Sequence, residues 1–169
     1  LLVLSLLSAE AGVATCAYLA AHALIMDRGA RRGRLAALLP YFVVVVVWRL
    51  VWTSLGYSVS GAGHYVDPIA DPVRFAVSFL RNAPVLLLGQ WAFPPSELVI
   101  ALKPGGASLM LAAASGFLVL LALALAPLLR GDRTARFWAL GMVLSLPPIC
   151  ATFPMDRLLF FVGIGAMGL

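Results

Sequence analysis

LLVLSLLSAEAGVATCAYLAAHALIM at residues 1–26, DRGARRGR at residues 27–34 and LAALLPYFVVVVVWRLVWTSL at residues 35–55 decide how this chain is read. Each apolar run approaches or exceeds the roughly 20 residues that cross a hydrocarbon core about 30 Å thick. The basic segment between them is too short to hold a domain, so the two runs are expected side by side as an antiparallel helical hairpin. The remainder of the chain is placed relative to that hairpin.

Composition leads to the same class. Of 169 residues, 63% are hydrophobic and 11% charged, with a mean hydropathy of +1.02, which excludes an ordinary water-soluble domain. The net charge of +5 resides in short loops rather than along a face with interleaved aromatics, so nucleic acid is not an expected partner. A signal peptide carries its positive charge ahead of its apolar core, whereas here the arginines follow it. Leu1 and Leu169 both lie within apolar runs, and the chain is expected to be a fragment of a longer polytopic protein that packs against the remainder of its own chain. Cys16 and Cys150 also sit in apolar runs. With no CxxC, Cys/His cluster or HExxH present, no metal, disulfide or cofactor is expected.

Beyond the hairpin, residues 56–68 read as a loop by their Gly, Ser and X-Pro content, without phosphate-cradling spacing. Asp71 is placed to cap a helix with Pro72 at its first position. Val73, Val77 and Leu80, with Phe75 and Phe79, then give an apolar surface flanked by Arg74 and Arg81, the pattern of an amphipathic helix lying in the membrane interface. Residues 83–93, closed by Pro94 and Pro95, are too short to span and read as a buried or re-entrant piece, and Ser96 and Glu97 start a short helix. Residues 107–129 carry no charge and form the cleanest span, with the small residues 112–116 as a packing face. Residues 137–153 make a further run broken by Pro147 and Pro148, which frees carbonyls that need donors nearby. After a polar turn at residues 154–157, residues 158–169 begin a last helix in which Gly163, Gly165 and Gly168 mark a close contact.

The fold class expected is therefore all-α, a polytopic transmembrane helix bundle of four to five spanning helices plus an interfacial or re-entrant segment. Residues 1–169 form one transmembrane domain: the hairpin 1–55, an outward-facing stretch 56–106 and further spans over 107–169. Four arginines in residues 27–34 and three in residues 130–136 make those loops cytoplasmic by the positive-inside rule. The setting expected is a bacterial inner membrane.

Two ionisable residues stand out within the hairpin. At 1.5 Å per residue, Glu10 and Arg49 both lie roughly 22 to 26 Å from the basic loop, which makes them a candidate intramembrane ion pair, the alternative being Arg49 reaching outward beside Trp48 and Trp52 with Glu10 neutral or facing a water-filled cavity.

The stretch Leu7-Ser8-Ala9-Glu10-Ala11-Gly12-Val13, followed by the basic loop and the helix bearing Trp48-Arg49, resembles the GT-C class of polytopic glycosyltransferases, which includes protein O-mannosyltransferase-like enzymes. Ala9 stands where that class usually has lysine. The resemblance implies transfer of a sugar from a polyprenyl-phosphate donor at the outer membrane face, with the catalytic acidic residues outside this stretch. His64, Asp67, Asp71, Arg74, Arg81, Asp156 and Arg157 are then the candidate outer-face polar or donor-phosphate contacts. The proline-broken segments fit a membrane transporter as the alternative, and a noncatalytic membrane scaffold is a third reading.

Overall fold

The computed structural model describes residues 1–8, 10–56 and 65–169, with the side chains of all of them except Glu10 and Arg31. Every regular element among the described residues is helical, as the apolar periodicity requires.

The first apolar run departs from the expected single span. It is divided into α1 (Leu2–Ser8), a 3-10 segment Glu10–Ala14, α2 (Thr15–Ala21) and a π-helical turn His22–Met26. A straight helix would hold residues 5 and 15 about 15 Å apart. Instead the Ser5 and Thr15 hydroxyls lie 3.5 Å from each other, so α1 folds back on α2. Gly12 makes that reversal feasible. A Cβ there would stand 2.5 Å from the Ser5 carbonyl oxygen, a separation no side chain tolerates. The run has the composition of a spanning helix without its direction.

The second run is the long helix expected. Helix α3 (Arg31–Ser54) accommodates Pro40 and ends where Thr53 Oγ1 and Ser54 Oγ hydrogen-bond to the carbonyls of Arg49 and Val51, both at 2.8 Å. Gly56, at φ +74, closes it in the left-handed conformation that glycine adopts without a Cβ penalty. Helix α3 touches α1, α2 and the π-helical turn along a thin seam, and 0% of its most apolar window is buried.

Asp71 and Pro72 start α4 (Pro72–Trp91) as expected, the Asp71 carboxylate accepting the Arg74 N–H at 3.0 Å. The interfacial helix and the re-entrant piece read from the sequence are one helix, which carries Pro84 without breaking. Its outward stripe of Val73, Val77 and Leu80 is exposed, while Ala83, Val85, Leu86 and Leu88 are buried against its neighbours. After α5 (Leu98–Ala101), helix α6 (Pro104–Gly131) is 28 residues long, with Ala107, Met110 and Ala114 buried along α4. The packing face expected at residues 112–116 reduces to Ala114, because only that position points along the Ala107–Met110 stripe; Ala112, Ala113, Ser115 and Gly116 are exposed.

The centre of the bundle is α7 (Arg133–Leu144), which contacts α2, the π-helical turn, α6, α8 (Leu146–Cys150) and α9 (Phe160–Met167). Tyr18 wedges between α2, α7 and α9 and donates its hydroxyl to the Phe161 carbonyl. Gly141 leaves room for that ring, since a Cβ would meet Tyr18 Cε1 at 2.4 Å. Gly165 and Gly168 bring α9 onto Met142 and Trp138, the close contact that the glycine spacing implied. The break in the fourth run falls at Ser145, ahead of the prolines, so that Pro147 lies in the first turn of α8, where its missing N–H costs least. Ala83, Leu86, Met142, Leu146, Ile149, Cys150, Leu159 and Val162 form the apolar core.

Both basic loops lie at one end. Arg34 Nη1 donates to the carbonyls of Ala23 and Leu24, each at 3.2 Å, and of Asp27 at 3.3 Å. Arg133 donates through Nη2 to the same Asp27 carbonyl at 3.3 Å and through Nε to Ile25. These guanidiniums satisfy carbonyls that a helix end leaves without intrahelical donors.

Among the described residues, the helices long and apolar enough to cross a membrane are Arg32–Ser54 and Pro104–Gly131. Helix α4, at 20 residues, has the length but carries Arg74 and Arg81 and is not apolar enough, and the remaining apolar runs are cut into shorter pieces. At 12 residues, α7 is about 18 Å long, well under a bilayer core.

Candidate functional site

At the end away from the basic loops, α3, residues 65–71 and the α8 region enclose a cleft of about 690 Å³. Its lining is almost wholly apolar. One face of α3 supplies Val45, Trp48 and Arg49, spaced as adjacent turns of one helix surface, and Trp48 and Trp52 lie ring against ring with centroids 5.4 Å apart. The facing wall comes from Pro147, Pro148 and the residues just after α8. Ala11 and Val13, in the 3-10 segment, reach the same space. The two interruptions of apolar runs therefore meet at one cleft.

The charged side chains of the lining are Arg49 and Asp67, which form an ion pair, Nη2 to Oδ2 at 2.5 Å, with each side chain 30% exposed; Tyr65 and Thr152 also line the cleft. Asp67 uses its other oxygen locally: Oδ1 accepts the N–H of Ile69 at 2.8 Å, forming the turn that leads into α4. One residue earlier, Val66 N–H donates to the Ala151 carbonyl at 2.7 Å. Residues 66 and 67 thus tie α3 to the end of α8 across the cleft mouth.

The carbonyls around the proline break are held by α4. Ser78 Oγ donates to the Cys150 carbonyl at 2.9 Å, and Asn82 Nδ2 donates to the Thr152 carbonyl at 3.0 Å. These acceptors lie at and beyond the end of α8, and the i, i+4 polar pair Ser78 and Asn82 on α4 was the sequence signal for them; the carbonyls that Pro147 and Pro148 themselves leave without an N–H are those four residues earlier, at Val143 and Leu144.

A second polar cluster pins the turn before α9. Asp156 Oδ1 accepts from Ser96 N–H at 3.0 Å and from Ser96 Oγ at 2.6 Å, while Glu97 Oε1 accepts the Asp156 N–H at 2.8 Å. Ser96 is fully buried, and a Cβ on Gly89 would come within 2.7 Å of the Asp156 oxygen, so the carboxylate seats directly on α4. Its role here is to join α4, α5 and the following turn.

The expected site residues are therefore dispersed. Arg49 and Asp67 meet in the cleft. Asp71 caps α4, Arg74 and Arg81 are exposed on its outer surface, and Arg157 is exposed with Nε 3.0 Å from Met155 Sδ. His64 and the side chain of Glu10 lie outside the described residues, so the Glu10–Arg49 pair is described only in its arginine half, and that half engages Asp67. Among the described residues no three His, Cys, Asp or Glu side chains gather as a metal site.

Compared with known protein families, with curated proteins and with solved structures, the chain matches none.

Proposed function

We propose that this chain is part of a multi-pass integral membrane protein, that α3 and α6 cross the bilayer with residues 27–34 and 130–136 on the cytoplasmic side, and that the outer-end cleft binds the hydrocarbon chain of a polyprenyl-phosphate-linked sugar. The single observation that carries the reading is an apolar cleft of about 690 Å³ with a guanidinium in its wall. An isoprenoid chain needs apolar walls, and its phosphate needs a charge-assisted donor at the boundary. Arg49 has five N–H donors, of which Asp67 engages one nitrogen. The uncovered apolar surface of α3 gives such a lipid a lateral route from the bilayer.

Within this reading the described carboxylates serve structure. Asp67 forms a turn, Asp71 a cap and Asp156 a joint. This chain would hold the donor lipid of a GT-C-like glycosyltransferase, and the catalytic acids would come from elsewhere.

Photolabelling in nanodiscs tests the proposal, using a diazirine-bearing polyprenyl phosphate. Labelling should concentrate at Val45, Trp48 and Ile149 and be displaced by unlabelled polyprenyl phosphate but not by the uncharged polyprenol. Labelling spread equally over the outer face of α6, at Leu120 and Leu123, would refute it. A transporter is the second reading, favoured by the meeting of two helix interruptions at the cleft, as at discontinuous-helix substrate sites. Displacement of the probe by a water-soluble solute rather than by the lipid would select it.

A further inference from the structure

The net charge of the chain is concentrated at one place. Residues 27–34 and 130–136 carry seven arginines and two aspartates, 7 − 2 = +5, and the whole chain carries 12 − 7 = +5, so the remaining residues are neutral as a set. Arg34 and Arg133 converge on the Asp27 carbonyl and clip the two loops together. Both acids of the loops are occupied by backbone: Asp27 Oδ1 accepts from Gly29 N–H and Asp132 Oδ1 from Thr134 N–H, each at 2.8 Å. Arg28, Arg32, Arg130 and Arg136 are exposed, and among the described residues none of them forms an ion pair.

Immediately beyond this charged end the surface is apolar. Leu35 and Leu39 on α3 are 58% and 60% exposed, and Leu128 in the last turns of α6 is 38% exposed. Cations at the end of a bundle with uncovered aliphatic side chains one to two turns deeper match a molecule with an anionic head and acyl tails, rather than a free anion.

We propose that the clipped loops form a binding site for the headgroup of an anionic phospholipid, with Arg28, Arg32, Arg130 and Arg136 as phosphate donors and Leu35, Leu39 and Leu128 against the acyl chains. The inference rests on the chain being a membrane protein, and it is independent of what occupies the cleft at the other end.

Native mass spectrometry of the protein in detergent micelles, titrated with phosphatidylglycerol or phosphatidylcholine, tests it. The expected result is preferential retention of phosphatidylglycerol, falling by roughly fivefold for each arginine removed in the series from Arg28→Gln/Arg130→Gln to the quadruple variant with Arg32→Gln and Arg136→Gln. None of the four side chains bonds to another side chain, and Arg136 Nε reaches only the Asp132 carbonyl one turn away, so helix content by circular dichroism should be unchanged. The quadruple lysine variant should keep the preference, as should Arg74→Gln/Arg81→Gln on α4. Undiminished preference in either glutamine variant, equal loss in the α4 variant, or abolition of the preference by inorganic phosphate would overturn the proposal. Failure of the membrane reading is a separate result: the protein would stay soluble without detergent and retain neither lipid.

Discussion

Replacing Asn82 with leucine isolates the polar tie between α4 and the proline break. Leucine has the same branched four-atom side-chain skeleton as asparagine, though bulkier at its methyl groups, and suits a helix better, so the side-chain shape is kept and helix propensity is not lost. What disappears is the Nδ2 donor to the Thr152 carbonyl at 3.0 Å, with its weaker contact to the Cys150 carbonyl at 3.5 Å. Cys150 keeps the Ser78 hydroxyl at 2.9 Å, so one carbonyl is left without this donor. An orphaned, partly buried acceptor costs about 1–3 kcal/mol, whereas an average side-chain hydrogen bond in a membrane protein is worth only about 0.6 kcal/mol. The Thr152 carbonyl lies past the end of α8, with no following helical turn to supply a replacement N–H, so the larger figure applies and about 1–2 kcal/mol is expected. Ser78→Ala should cost less alone, because Asn82 remains near Cys150. The double variant should cost more than the sum, as each donor partly covers for the other. Reversible unfolding in mixed micelles, followed by tryptophan fluorescence, measures all three. A loss under about 0.5 kcal/mol for Asn82→Leu, or strict additivity in the cycle, would refute the view that these side chains replace a helix ladder at the end of α8.

At the cleft mouth, Asp67→Ala should destabilise by about 1 kcal/mol more than Arg49→Gln, since it removes the turn acceptor for Ile69 as well as an ion pair that, at this exposure, contributes at most about 1 kcal/mol; equal losses in the same unfolding assay would show the turn to be unimportant. Gly141→Val should destabilise by about 3 kcal/mol or more, because its Cβ would overlap the Tyr18 ring, and the near-ultraviolet circular dichroism of Tyr18 and Trp138 should weaken with it. In cells, cysteine at the exposed Ile69 should react with an impermeant maleimide while cysteine at Ala30 should not, measured in a Cys16→Ser background that leaves only the fully buried Cys150; the reverse pattern would invert the orientation proposed for α3.

Features set by neighbours along the chain were legible in the sequence. Asp71 and Pro72 start a helix because capping needs only three residues, and the uncharged runs of α3 and α6 are helical because nothing within them offers an alternative. The two basic loops share an end, with Arg133 reaching Asp27, as the spacing of the apolar runs between them implied. Features that depend on direction were not legible. Hydropathy counts residues along a run and cannot register a reversal, so the fold-back at Gly12 was hidden in a segment of ideal composition. The partner found for Arg49 was hidden for a related reason. Depth along a helix says nothing of a chain that returns to the same level, as residues 65–71 do when they bring Asp67 to α3, while the side chain of Glu10, the partner that matching depths nominated, lies outside the described residues. The division expected between an interfacial helix and a piece at residues 83–93 is likewise absent, because Pro84 is only a residue within α4, whose burial outweighs one lost hydrogen bond.

The segregation of all the net charge at the clipped loops has an effect that involves no contact. In a bilayer energised with its cytoplasmic side negative, each elementary charge moved across costs about 2.3 kcal/mol per 100 mV. With those loops on the cytoplasmic side, as proposed, inverting the molecule would move five net charges and cost roughly 11 kcal/mol at 100 mV, as much as the whole folding stability of many domains. The voltage that a cell maintains for other purposes would itself hold such a protein upright.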